Sequence, residues 1–186
     1  MLGKHFFISL GIILVAAVIL LGMGRIPFCK CGIITFWSSD VTSSQQSQQF
    51  ADPYTFTHVL HGLLFYLLLW LTFGRKLTVG QRLVLAVALE SGWEILENTN
   101  FIINKYRSET FSYDYYGDSV FNSIGDILAM MIGFWFAAKL PWWGSIIGFI
   151  VVDSLLLFFI HDSLVINIIM LIHPVAAIKQ WQLQAK

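Results

Sequence analysis

The chain reads as all-α, a polytopic integral membrane helical bundle of about five to six membrane segments, forming a single domain over residues 1–186. Composition comes first: 57% of residues are hydrophobic, 12% are charged, and the mean hydropathy is +0.73, where a soluble domain carries about 25% charged residues. Apolar runs of membrane-crossing length then recur along the chain, a crossing needing about 20 residues. No internal repeat or long low-complexity tract divides it. Net charge is zero and the isoelectric point is about 7.0, so no basic surface exists to bind a nucleic acid.

The segments fall in order. The first, about residues 6–24, is too long for a signal-peptide core and has no small-residue cleavage site after it. Ile26, Pro27 and Phe28 before Cys29 do not resemble a lipoprotein processing site, so this segment reads as a retained anchor. The second spans about 56–74 and closes on Arg75 and Lys76; the third is about 83–103. The fourth, about 119–138, closes on Lys139 and Pro141, and the fifth is about 142–160. A last apolar run, 164–178, contains Pro174 and is short for a crossing; it is expected to form a short span or an interfacial segment. Trp142 and Trp143, with Tyr113, Tyr115 and Tyr116, are expected to anchor the interfaces.

Orientation follows the bias of Lys and Arg toward cytoplasmic loops. With the N-terminus inside, and with the last run crossing, Lys4, Arg75, Lys76, Arg82, Lys139, Lys179 and Lys186 are cytoplasmic, against Arg25, Lys30, Lys105 and Arg107 outside. The large loops, about 25–55 and 104–118, then face outward, and no acidic residue faces the cytoplasm. This predicts a multi-pass protein of the bacterial inner membrane with its function on the outer, periplasmic side. Cys29 and Cys31 lie in the first outer loop, where an oxidised pair, free thiols and a pair of metal ligands remain alternatives.

Polar residues inside the apolar segments locate a site. Glu90, Glu94 and Glu97 point down one helix face, and an ionised carboxylate near a bilayer centre costs roughly 3 kcal/mol even on lenient scales. His58 and His61, three apart, share a face of the second segment. Asp118, Asn122 and Asp126 recur every four residues, with Gly125 on their face to admit a neighbouring helix. Asn98 and Asn100 lie above the glutamates, and Arg107 hangs in the following loop. Nearly all these groups sit in the outer half of the membrane. Two histidines with carboxylates are a ligand set for zinc or another divalent metal, or an acid/base unit without one. A proton or ion path is the third option. Glu90 alone reads more simply as a helix–helix hydrogen bond, Asp153 as a packing contact, and Ser119 and Ser123 as nucleophiles only beside a base.

Several stretches carry a resemblance: GRIPFCKCG (24–32), SSQQSQQFADPYTFTHVLHGLLFY (43–66), WEILENTNFIINKYR (93–107), DYYGDSVFNSIGD (114–126) and INIIMLIHP (166–174). In these the chain resembles an uncharacterised family of bacterial inner-membrane proteins, a domain of unknown function found mostly in alphaproteobacteria. It departs from that pattern at Gln49, Pro53 and the run His161, Asp162, Ser163. The family implies a multi-pass membrane protein and supplies no activity. More distantly, the series His61, Tyr66, Glu94, Arg107, then Asp118, Asn122 and Gly125, is similar to the VanZ-like (teicoplanin-resistance) membrane family. Thr57 stands where an acidic residue often precedes the histidine, and Glu97 or Asn98 replaces the usual Gln. That similarity implies cell-envelope or lipid-linked glycan chemistry.

The reading expected from sequence is therefore an outer-face enzyme performing hydrolysis or group transfer on a lipid or lipid-linked substrate within the bilayer. Catalytic candidates are His58, His61, Glu94, Glu97, Asp118 and Asn122. Arg107, Asn98 and Asp126 would bind substrate, and His58, His61, Glu94 and Glu97 would hold a divalent metal such as zinc. The alternative is a non-enzymatic accessory subunit, or an ion- or proton-coupled carrier, with buried acids.

Overall fold

The computed structural model describes residues 2–110 and 114–184; the expectations for Tyr113 and Lys186 lie outside them. Among the described residues the regular structure is helical: α1 (Leu2–Gly22), α2 (Thr55–Phe73), α3 (Val79–Glu97), α4 (Asn100–Glu109), α5 (Val120–Lys139), α6 (Trp142–Ile160), α7 (Leu164–Ile172) and α8 (Ala176–Leu183). Four of them, α1, α2, α5 and α6, are long and apolar enough to cross a membrane. α3 matches them in length but carries Arg82, Glu90 and Glu94, all buried against neighbouring helices. Burial removes these groups from lipid, so α3 joins the bundle as a polar inner helix.

α5 lies at the centre, packed on α2, α3, α1 and α6. Its contact with α2 is the closest in the fold. A Cβ on Gly62 would sit 2.2 Å from the Met130 carbonyl oxygen, and one on Gly133 would sit 2.0 Å from that of Val59. Small residues at a crossing let two backbones meet in this way. The expectation for Gly125 is corrected: it faces the Phe50 carbonyl of the first loop, 2.0 Å from where a Cβ would stand, and not another helix. Below the site the apolar core is built from Ile13, Leu69, Ala86, Val87, Met130 and Phe134, with the Arg82 guanidinium buried over the Tyr66 ring. α6 buries only Leu156 fully and leaves Phe158 and Phe159 outward, as a lipid-facing helix does. Trp142 and Trp143 open it exposed, in keeping with interface anchors, whereas Tyr115 is buried.

The ends of two segments are set by the fold. The third segment does not run to 103. It ends at Glu97, because the Asn98 side chain turns back to the Glu94 carbonyl (3.0 Å) and Thr99 caps a new helix by accepting from the Ile102 amide. Such side-chain bonds compete with helix continuation. The last apolar run, expected as a short span or an interfacial segment, takes a form that suits the second alternative. It breaks into α7 and α8 at His173 and Pro174, and Trp181 packs on His161 with ring centroids 5.0 Å apart. The Lys179 ammonium donates to the Ser108 carbonyl. The C-terminal helices therefore stay at the end of the bundle that carries the large loops, opposite the start of α1. Lys179 moves with them, so the overall Lys/Arg bias disappears. The positive charge of the other end is concentrated in the tight α2–α3 and α5–α6 connections, at Arg75, Lys76 and Lys139.

The loop of residues 23–54 folds over the top of α5 and supplies the acceptors its first turn needs. Ile26, Pro27 and Ser47 carbonyls accept from the Val120, Phe121 and Ser119 amides. Ser119 caps the helix through the Asn122 amide and donates to the Gln48 carbonyl, which fixes it structurally. Gln49 is fully buried, bridging the Thr35 amide and the Ile33 carbonyl. Cys29 and Cys31 are joined by a disulfide.

Candidate functional site

At the loop end of the bundle a cavity of about 500 Å³ opens between α2, α3, α4 and α7. Its polar lining includes His58, His61, Glu97, Asp118 and Asp126, with Tyr54, Tyr106, Tyr115 and Asp162; among the described residues no Lys or Arg takes part. Residues from three different helices that the sequence placed only at similar depth thus meet at one cavity.

The histidines face α3 because i and i+3 share a helix side. His58 Nδ1 is 2.6 Å from Glu90 Oε1 and 3.4 Å from Glu94 Oε1, and its Nε2 is 3.8 Å from Asp126 Oδ2. His61 Nδ1 lies 3.1 Å from both Glu90 oxygens. Glu90, read from sequence as a helix–helix hydrogen bond, makes that bond and is the carboxylate both histidines share. It is fully buried, as is Glu94 one turn later. Neither oxygen of Glu94 has a hydrogen-bond partner; the same holds for both polar atoms of Asn122 and for Asp126 Oδ1. Asn122 is buried and does not line the cavity. Two sets of donor atoms lie within 4.8 Å of one another and could hold a metal: His58, His61 and Glu90, and His58, Glu94 and Glu97.

Asp118 is different in kind. Its carboxylate accepts from Asn98 Nδ2 (2.7 Å) and the Tyr115 hydroxyl (2.9 Å), and its amide donates to Asn98 Oδ1 (2.7 Å). The pair Asn98–Asp118 latches the α3–α4 corner to the start of α5. Burial raises the Asp118 pKa, and those hydrogen bonds oppose the rise. Asp52 organises the entry to α2 by accepting from the Ser47 and Tyr54 amides, both at 2.8 Å; burial raises its pKa against those bonds. Asp162 accepts from the Ser163 amide and the Tyr54 hydroxyl, and burial pushes its pKa up to about 7. Burial, then the neighbouring Glu97 carboxylate, pushes the Tyr106 hydroxyl well above its ordinary range.

Among the other expected residues, Arg107 lies on the exposed face of α4, outside the cavity lining. Asp153 accepts from the Val165 amide at 3.3 Å, a packing contact at the start of α7. Ser123 is buried with an unpartnered hydroxyl. Tyr54 had a signal in the sequence, one turn before His58 on the same face. Asp162 had none, since its partner Tyr54 is 108 residues away.

Fold and site together define a helical membrane protein with a histidine–carboxylate cavity at its loop end. The chain belongs to the family described as protein of unknown function (DUF2585), which matches residues 20–184. Its relatives include a UPF0314 protein of Paracoccus denitrificans, 48% identical over 92% of this chain and 88% of that one. Another, from Novosphingobium aromaticivorans, is 45% identical over 94% and 90%. UPF0314 protein Atu8092 of Agrobacterium fabrum is 42% identical over 96% and 90%. No solved structure matches. The VanZ-like similarity rests on the short residue series alone.

Proposed function

We propose that the protein is an enzyme of the bacterial inner membrane that works on its outer face, hydrolysing or transferring a group at the polar head of a lipid or lipid-linked envelope molecule. One observation carries this reading. The same cavity has the histidine–carboxylate cluster on one wall and Leu64, Phe65, Leu89, Leu96, Leu164 and Ile168 on the others. Such a cavity suits an amphiphile, with the head group at the cluster and the chains against the leucines. The orientation is supported by the Cys29–Cys31 disulfide at the loop end, which belongs in an oxidising compartment.

In hydrolysis, a water gives its proton to a carboxylate of the cluster and its oxygen bonds to the phosphoryl or acyl centre. The ester bond breaks, and the leaving oxygen takes a proton from a histidine–carboxylate pair. In transfer, an acceptor hydroxyl replaces the water. His61 and Glu97 line the cavity and are placed to exchange these protons; Glu90 fixes the two imidazoles. Asp118 and Asn98 position the wall.

The test is lipid and glycolipid mass spectrometry of a deletion strain. One envelope species should accumulate as its product falls, with restoration by the wild-type gene and not by His61→Ala. An unchanged envelope profile, together with full complementation by His61→Ala, would overturn the proposal in favour of an accessory subunit.

A further inference from the structure

We propose that the cluster is a divalent-cation centre, held by the Nδ1 atoms of His58 and His61 and by the carboxylates of Glu90 and Glu94, with Glu97 at the cavity edge. This deepens the reading above and rests on the same cluster, not on the reaction assigned to it. Counting protons carries the argument. His58 Nδ1 offers at most one hydrogen to Glu90 at 2.6 Å and Glu94 at 3.4 Å. Glu90 takes it, and Glu94 is left fully buried with two unpartnered oxygens. A carboxylate in that state requires a cation or a proton. Among the described residues no Lys or Arg lines the cavity to supply the charge.

Geometry selects a metal. Bonds of about 2.1 Å in a tetrahedron set ligand atoms about 3.4 Å apart. His61 already stands 3.1 Å from Glu90, and Glu94 3.4 Å from His58; the donor atoms form two sets that share His58, each within 4.8 Å, and a cation at His58 draws the two sets together as it replaces the hydrogen of the 2.6 Å His58–Glu90 contact. His58 turns its other nitrogen toward Asp126 at 3.8 Å. Ligating histidines are usually held through the far nitrogen by a carboxylate. Two nitrogens with two or three oxygens favour zinc, manganese, iron or cobalt over magnesium or calcium.

The experiment uses full-length protein purified in detergent without chelator. Elemental analysis should find about one transition-metal ion per chain. Metal-stripped protein titrated with Co²⁺ should develop visible absorption bands at one equivalent, bleached by Zn²⁺. Glu94→Gln and His61→Ala should each weaken binding on the order of 10- to 100-fold, with circular dichroism and elution volume unchanged. Glu97→Gln is the reserve variant should either fail to fold, with a smaller loss expected. Folded wild-type protein that holds no metal and gives no cobalt bands would overturn the inference. So would stoichiometric cobalt binding that all three variants leave intact, which would place the metal elsewhere. A metal-bearing protein whose deletion leaves envelope lipids unchanged removes the proposed reaction and keeps the centre; changed lipids with no metal do the reverse.

Discussion

Glu90 and Glu94 sit one turn apart on α3 and are equally buried, yet their replacement by glutamine should have opposite effects on metal-stripped protein. Glu90 receives three approaches from imidazole nitrogens, at 2.6, 3.1 and 3.1 Å. Glu90→Gln strands two histidines in the bundle, and breaking a buried pair from one side costs roughly 3–5 kcal/mol. Glu94 has no hydrogen-bond partner to strand. Metal-stripped Glu94 must hold a proton, its Oε1 3.4 Å from His58 Nδ1, so Glu94→Gln replaces a neutral buried acid by a neutral amide of the same shape with similar unmet bonds. Its stability should match or exceed that of wild type. Thermal melts in detergent with chelator, with immunoblots of membranes as a second reading, separate the two. A Glu94→Gln protein that vanishes from the membrane while Glu90→Gln persists would refute the assignment of partners, and with it the proton count on which the metal centre depends.

Asp162 gives a pH dependence. Its folded pKa of about 7 exceeds the ordinary 3.8, so the fold holds a proton the unfolded chain has lost. That stability is complete below about pH 4 and is lost as pH rises through about 7, on the order of 4–5 kcal/mol at about 1.4 per pH unit; the difference between melts at pH 5 and pH 8 should shrink in Asp162→Asn. Gly62→Ala places a Cβ 2.2 Å from the Met130 carbonyl oxygen, which forces α2 and α5 apart and should cost roughly 1–3 kcal/mol. Gly148→Ala, with open space around it, should melt like wild type; equal melting of the two would contradict the close crossing. Cysteine labelling should place residues 38–49 and the C-terminal helix on the outer side and residues 76–78 on the cytoplasmic side. A cytoplasmic report from 38–49 would reverse the site's orientation.

The membrane class was legible in the sequence because apolar runs near 20 residues have few other uses. The site was legible as a depth: His58 and His61, Glu94 and Glu97, and Asp118 and Asp126 could be placed near one surface because helical rise converts residue number into height. What one helix's spacing cannot state is which face meets which neighbour. The tertiary structure alone decided that Glu90 joins both histidines while Glu94 is left without a partner. It also gave Asn98 and Tyr115 to Asp118, seated the Phe50 carbonyl on Gly125, and put Arg107 outside the cavity. The choice between a short span and a segment at the loop end for residues 164–178 has the same origin. Hydropathy measures what a segment could bury in lipid, but Trp181 against His161 and Lys179 against Ser108 join residues 20 and 71 apart, and only the folded chain brings such pairs together.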